Sequence, residues 1–575
     1  MNRIATILCL FLTLELFAGQ REEIWPRKKM PDAQDGQIAA MSDEAGRKDF
    51  NPDKHRIAYI EWYEAPAPEV RNGGCVVLIS GGAYNVCCDM GSIESWRKTF
   101  TDLGFQCVNL VYRTPRPEGL PFYQSAWEDG QRAIRMIRSE AAARGFDPEK
   151  IGTVSNSAGS HLAMLLATSS QTPAYERLDA LDDIPCHINW AIVNALAYAT
   201  TDGETGTQAS RQGYGVDVGL SDIFKFDEKT CPMSLHHGGM DPYSPNASTL
   251  VYRHLRRLGV PADMHLYPGK GHGAFGLDRG IEFLTQMGFM GNLEPAIPLT
   301  DRFTSDSSRV AYFKEDLWPE GKTPCFQDNQ YVPYIEWHIP AVKTTDAIQI
   351  IYSGGSYNKN DPSNADVTPA RRYLNAKGMT VVTLKYRTPR PNGLAIYTTA
   401  WQDLQRAIRL VRDKAASQGL DPDRVGIMGS SAGGHLTVLG ATSSRHASYL
   451  RVDDKDTVSC KVQWGIGIYP AYILTDGPTG PNKNGGLGDE DIICPEFSFD
   501  LDTAPMLLVH GDADKYASMN SVKLWEKMRA IGVQSELHIL AKRPHGFLRN
   551  ASPGTGSYTY LDRIWDFLTE EGFNK

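Results

Sequence analysis

The 575-residue chain is written twice. Val111-Tyr112-Arg113-Thr114-Pro115-Arg116-Pro117 returns about 274 residues later as Lys385-Tyr386-Arg387-Thr388-Pro389-Arg390-Pro391, and the stretch from Ala126 to Arg135 returns from Ala400 to Arg409. Tyr59-Ile60-Glu61-Trp62 matches Tyr334-Ile335-Glu336-Trp337, Thr201-Asp202-Gly203 matches Thr475-Asp476-Gly477, and Trp25-Pro26 matches Trp318-Pro319. A period this long exceeds any solenoid unit and fits two copies of one globular fold of about 250 residues. One copy is expected at 22–292 and the other at 315–575, with 293–314, polar and broken by Pro295 and Pro298, as the linker. Trp25 to Tyr59 is much longer than Trp318 to Tyr334, so the first copy should carry a surface excursion there.

Within each copy short apolar runs alternate with helical patterns. Val76-Val77-Leu78-Ile79 and Ile348-Gln349-Ile350-Ile351 stop at glycine turns, and Thr380 to Leu384 is β-branched, as in buried parallel strands. Ala126, Gly130, Ala133, Ile134 and Ile137 fall on one helical face, and Ala400, Leu404, Ala407, Ile408 and Val411 repeat it. Strand, helix and strand with crossovers predict a mostly parallel, doubly wound α/β sheet flanked by helices in each copy.

The second copy then shows G-x-S-x-G in the context that gives it meaning. The strand Val425 to Met428 runs into Gly429-Ser430-Ser431-Ala432-Gly433 and a helix. Small residues two before and two after the serine let strand and helix backbones approach at a strained turn that lifts Oγ clear of the sheet. Ser431 is the predicted nucleophile and Ser157, in Ser155-Asn156-Ser157-Ala158-Gly159, its counterpart. Ser155 replaces the first glycine, so a working but less relaxed elbow is expected there.

Partner order raises the motif above a chance turn. Pro232 to Leu235 ends in His236-His237-Gly238-Gly239-Met240-Asp241, and Pro505 to Val509 ends in His510-Gly511-Asp512-Ala513-Asp514; both continue to His272 or His545. Ser-to-Asp separation is 84 residues in one copy and 83 in the other, and Asp-to-His is 31 in both. Asp512 faces Gly239 in the aligned copy, so Asp241 and Asp514 are the better acids. Ser, Asp, His in chain order is the α/β-hydrolase arrangement, and the expected catalytic residues are Ser157, Asp241, His272 and Ser431, Asp514, His545. His161 and His435, four residues past each serine, should pack or cap locally. The tetrahedral oxyanion needs backbone donors. One is the N–H of Ala158 or Ala432; the others should come from the glycine loops, at Gly82 and Ala83 or at Gly355 and Ser356.

Charge and composition narrow the rest. With 41% hydrophobic residues, 22% charged, and a formal net charge of -9, the chain is a folded globular type without the basic footprint of a nucleic-acid binder. Arg3 followed by the apolar run Ile4 to Phe17 and Ala18-Gly19-Gln20 reads as a signal peptide over 1–19, so the protein is expected to be secreted or periplasmic, with no later membrane span. No C-x-x-C occurs among the ten cysteines, so no metal site is expected, and most should be buried small apolar residues with one or two bridges at most.

Both copies resemble secreted α/β-hydrolase carbohydrate esterases of the acetyl xylan esterase and feruloyl esterase-like group. The resemblance lies in the Trp-Pro opening, the Ser-Gly-Gly loop followed by Tyr84 or Tyr357, Tyr-Arg after the next strand, the Asp129 or Asp403 helix, Ser-Ala-Gly and His-Gly-x-x-Asp. Ser80 and Ser353 stand where that group usually has His or Pro. The resemblance implies two tandem α/β-hydrolase domains without a cofactor, deacylating, and above all deacetylating, plant polysaccharide such as xylan through an acyl-enzyme. Feruloyl esterase or general carboxylesterase chemistry stays open. So does a serine exopeptidase, although its propeller-like repeat is missing, and so does a first copy that only holds polysaccharide. Tyr84, Tyr357, Phe122 and Tyr397, with the loops at Asp202 and Asp476, either line a sugar cleft or pack the core. Oligomeric state is not legible.

Overall fold

The computed structural model describes residues 20–26, 29–32, 58–87, 92–201, 219–290, 310–475, 492–550 and 560–575. The expected signal segment 1–19, most of the excursion after Trp25, and Asp202 and Asp476 lie outside them. The chain forms two compact units.

The first unit contains β1 (Gln20–Glu23), β2 (Tyr59–Trp62), β3 (Cys75–Ile79), β4 (Gln106–Val111), β5 (Ile151–Asn156), β6 (Trp190–Asn194) and β7 (Met233–Gly238), and β8 (Ala262–Tyr267) follows them in the chain. Its strands lie in the order β1-β2-β4-β3-β5-β6-β7. The pairs β1/β2 and β2/β4 are antiparallel, while β4, β3, β5, β6 and β7 run parallel. Both faces are covered by helices, which is why β3, β4, β6 and β7 are buried at every position and β3 and β6 read as near-continuous apolar runs rather than alternating ones. β1 begins at Gln20, two residues before the expected edge of this copy, because it pairs with β2.

The second unit repeats the plan with β9 (Val310–Asp316), β10 (Tyr334–Pro340), β11 (Ile348–Tyr352), β12 (Thr380–Lys385), β13 (Val425–Ser430), β14 (Trp464–Ile468), β15 (Met506–Gly511) and β16 (Glu536–Leu540). Their order is β9-β10-β12-β11-β13-β14-β15-β16, antiparallel at β9/β10 and β10/β12 and parallel thereafter. Residues 310–314, read as the end of the linker, therefore belong to an edge strand. An edge strand exposes alternate residues and so reads as polar: Tyr312 is 57% exposed, while Phe313 stacks on Trp337 with ring centroids 5.5 Å apart.

The repeated landmarks are packing devices. Arg387, fully buried, sends Nε to Asp403 Oδ1 at 2.9 Å and its backbone N–H to Oδ2 at 2.7 Å, while Trp318 Nε1 donates to Oδ1 at 2.8 Å. Arg113, Asp129 and Trp25 repeat this at 2.8, 2.8 and 2.6 Å. One carboxylate thus ties the opening tryptophan and the arginine after β4 or β12 to the helices Gln124–Ser139 and Thr398–Ala415. Asp403→Ala strands a buried guanidinium and an indole N–H, so it should cost the second unit about 3–5 kcal/mol. The shift of its denaturant midpoint measures this, and a cost below about 1 kcal/mol would contradict it.

Candidate active site

The helix Ala158–Thr168 is buried on every face, which its run of apolar and small residues dictates. It starts where β5 ends, and Ser157 makes the turn at φ 56° and ψ −123°. Ser431 turns from β13 into Ala432–Thr442 at φ 57° and ψ −118°. Such backbone is costly for a residue with a side chain, on the order of 1–3 kcal/mol, and persists only where its surroundings impose it. The glycine two residues on is one such constraint. A Cβ on Gly159 would lie 2.4 Å from the Ile79 carbonyl oxygen, and one on Gly433 would lie 2.7 Å from that of Ser353.

Ser155 does not distort the first elbow, contrary to expectation. In the second unit a Cβ on Gly429 would come within 2.5 Å of the Gly433 carbonyl oxygen and 2.6 Å of the Tyr352 ring, its neighbour across the strand pair. In the first unit Ser155 faces the smaller Ile79 instead, and its Oγ reaches Ser160 Oγ at 3.1 Å and the Ile192 carbonyl at 3.2 Å.

The three far-separated residues meet in both units. His272 Nε2 lies 2.8 Å from Ser157 Oγ, and its Nδ1 lies 3.0 and 2.9 Å from the two oxygens of Asp241. His545 Nε2 lies 2.8 Å from Ser431 Oγ and its Nδ1 2.8 Å from Asp514 Oδ2. A carboxylate only accepts, so Nδ1 carries the proton and Nε2 is left to accept from the serine hydroxyl. Both aspartates are 4% exposed, whereas the histidine side chains keep 30% and 17% of their surface in solvent.

A second histidine, unassigned from the sequence, completes each acid. His237 Nε2 lies 3.0 Å from the Tyr243 carbonyl and 3.3 Å from Asp241 Oδ2, and His510 Nε2 lies 2.8 Å from the Tyr516 carbonyl and 3.4 Å from Asp514 Oδ2. The backbone N–H of Tyr243 or Tyr516 donates to Oδ1 at 2.8 Å. Burial pushes the Asp514 carboxyl up, but the hydrogen bonds from His510 and His545 outweigh it and hold the group at about 2. Asp241 is likewise held well below the usual carboxylate range, with burial opposed by His237 and His272. The signal available beforehand was the recurrence of His237 and His510 four residues before each acid.

The glycine loops stand beside the serines. A Cβ on Gly81 would lie 2.7 Å from Ser157 Cβ, and one on Gly354 would lie 2.7 Å from Ser431 Cβ. In the first unit the Gly81 N–H is taken by Asn156 Oδ1 at 2.9 Å; the expected donors Gly82 and Ala83 follow it in the loop and Ala158 opens the helix after Ser157, and Gly355, Ser356 and Ala432 occupy the same places in the second. Ser80 and Ser353 close the loops locally, with Oγ 3.3 Å from Cys87 Sγ and 3.0 Å from Asn360 Oδ1. Tyr84 and Tyr357 are each 1% exposed and so pack the core, their hydroxyls 2.9 and 2.8 Å from Nδ1 of His161 and His435. Burial pushes His161 down to about 3, so it is neutral. Phe122 and Tyr397 are half-buried. Of the eight described cysteines only Cys325 is exposed. Among the described residues no His, Cys, Asp and Glu side chains cluster to hold a metal ion, and no helix is long and apolar enough to cross a membrane.

Comparison with known proteins points the same way. The BD-FAE family profile matches residues 63–194 and again 336–477, taking in β3 to β6 of the first unit and β11 to β14 of the second. The chain is 24% identical over 211 residues to endo-1,4-beta-xylanase B of Butyrivibrio fibrisolvens, covering 35% of this chain and 32% of that protein. It is 26% identical over 188 residues to an acetylxylan esterase of Xylanibacter ruminicola, covering 31% of this chain and 36% of that protein. It thus spans about a third of the length of either relative. Among solved structures, an acetyl ester-xyloside bifunctional hydrolase from Caldicellulosiruptor lactoaceticus aligns at 25% identity and a TM-score of 0.38, over 46% of this chain and 97% of that one. The chain carries the BD-FAE domain twice, once in each unit, on an α/β-hydrolase fold.

Proposed function

We propose that the protein is a serine esterase with two active sites that removes acyl groups, acetyl first among them, from plant polysaccharide such as xylan. The observation that carries this reading is the Ser–His–Asp hydrogen-bond chain, complete in each unit. Neutral His272 or His545 takes the Oγ proton as the serine attacks the ester carbonyl, and Asp241 or Asp514 holds the ring tautomer and stabilises the imidazolium. Backbone N–H groups of Gly82, Ala83 and Ala158, or of Gly355, Ser356 and Ala432, receive the developing oxyanion. The alcohol leaves with the histidine's proton, and water repeats the sequence on the acyl-enzyme to free the acid. The acetyl and xylan preference rests on likeness to a relative that is an acetylxylan esterase.

Acetate release from acetylated xylan, measured beside ferulate release from a feruloylated arabinoxylan and amine release from an aminoacyl anilide, tests the reading. Acetate should form fastest, with the anilide uncleaved. Anilide cleavage without acetate release would replace the esterase with a peptidase.

A further inference from the structure

The repeated Tyr-Arg-Thr-Pro-Arg segment is not explained by the buried ion pair alone, which uses only its first arginine. Its tyrosine and second arginine reach the glycine loop. Tyr386 Oη donates to the carbonyls of Ser353 at 2.9 Å and Gly354 at 3.2 Å, and Arg390 Nε donates to the carbonyl of Ser356 at 2.7 Å. Between them the Gly355 carbonyl accepts from Asn358 and Lys359 N–H at 2.9 and 3.1 Å. In the first unit Tyr112 holds Ser80 and Gly81 at 3.0 and 3.3 Å, Arg116 holds Ala83 at 2.8 Å, and the Gly82 carbonyl accepts from Asn85 and Val86 N–H at 3.0 and 3.1 Å.

A trans peptide is planar, with its C=O and N–H on opposite sides, so fixing one fixes the other. Holding the Gly354 carbonyl therefore aims the Gly355 N–H away from Tyr386, and holding the Gly355 carbonyl aims the Ser356 N–H. Arg390 fixes the third plane, whose N–H is that of Tyr357, and so holds the backbone of Ser356 from its far side. The loop needs this restraint, because Gly355, Ser356 and Tyr357 follow one another at φ 104°, 55° and 59°, as Gly82, Ala83 and Tyr84 do at 128°, 55° and 60°. Without anchors, residues bearing side chains leave that region. Arg390 is itself tied down, with Nη2 3.2 Å from Tyr472 Oη, as Arg116 Nη2 lies 3.0 Å from Tyr198 Oη.

We propose that Tyr386 and Arg390, and Tyr112 and Arg116 in the first unit, are positioning residues that aim the oxyanion donors by gripping the carbonyls on the far side of the same loop. This rests on the acyl-enzyme reading above. It implies that they act on the transition state and leave ground-state binding alone.

The test uses the full chain carrying Ser157→Ala, so that only the second site turns over. Tyr386→Phe keeps the ring and removes one hydroxyl; Arg390→Met removes the guanidinium. With p-nitrophenyl acetate and active-site titration by the burst of p-nitrophenol, kcat per titrated site should fall about tenfold in the first and about a hundredfold in the second, with KM within about twofold. Affinity for a trifluoromethyl ketone, whose serine adduct carries the oxyanion, should fall by the same factors, and Arg390→Lys should lie between. Tyr112→Phe and Arg116→Met in a Ser431→Ala chain should repeat the pattern and stand in if a second-unit variant misfolds. Unchanged kcat per site, or a loss of kcat that ketone affinity does not follow, overturns the proposal. Full activity in Ser157→Ala/Ser431→Ala overturns the acyl-enzyme reading instead, which separates the two failures.

Discussion

Ser157→Ala/Ser431→Ala should lose about a million-fold in kcat toward p-nitrophenyl acetate, because no other group in either unit takes over the attack. Each single variant should keep the share of the intact site. The near-identical elbows and the same 2.8 Å Ser–His contact give no reason for either unit to be idle. This differs from what Ser155 alone suggests: its Oγ is taken up by Ser160 and the Ile192 carbonyl within an elbow of nearly the same dihedral angles. A single variant retaining less than about a hundredth of the activity would mean that the other unit does not turn over.

Asp514→Asn in a Ser157→Ala chain should lower kcat about 10,000-fold with little change in the fold. The amide can offer Nδ2–H where the imidazole needs an acceptor, so His545 is pushed toward the tautomer whose Nε2 carries the proton and no longer accepts from Ser431. The pH behaviour follows from the same contacts. Held at about 2 against an ordinary value of 3.8, the Asp514 carboxylate lends stability that is present above pH 3.8 and lost as pH falls toward 2. Unfolding of the second unit followed from pH 7 to pH 2 should therefore show this contribution fading only below about pH 4. In the Asn variant that acid limb should be shallower. A residual kcat within tenfold of the parent would remove Asp514 from the mechanism.

The parts of the site that were legible in the sequence are those fixed by local backbone. Ser157 and Ser431 announce themselves because a strand-to-helix turn tolerates only small residues around them. Asp241, His272, Asp514 and His545 follow because each sits just past a strand end and keeps its spacing in both copies. Strand β3 was legible for a related reason, since burial on both faces leaves the unbroken apolar run Cys75–Ile79. What was not legible depends on contacts between distant segments. The contacts of His237 and His510 with the acids need the turn after β7 or β15 to fold back, and nothing in the residues themselves states that it does. Likewise Tyr112 and Arg116 reach loop residues about 30 positions earlier across β3 and β4, so the repeat marks them without saying what they hold. The start of the edge strand β9 is not legible, because much of the strand faces solvent and its partner β10 lies beyond a long turn.

Labelling the intact protein with a fluorophosphonate and mapping the modified peptides by mass tests the central claim most directly. Modification at both Ser157 and Ser431, each removed by its own alanine substitution, is the predicted result. A protein that hydrolyses acetyl esters while neither serine takes the label would contradict it.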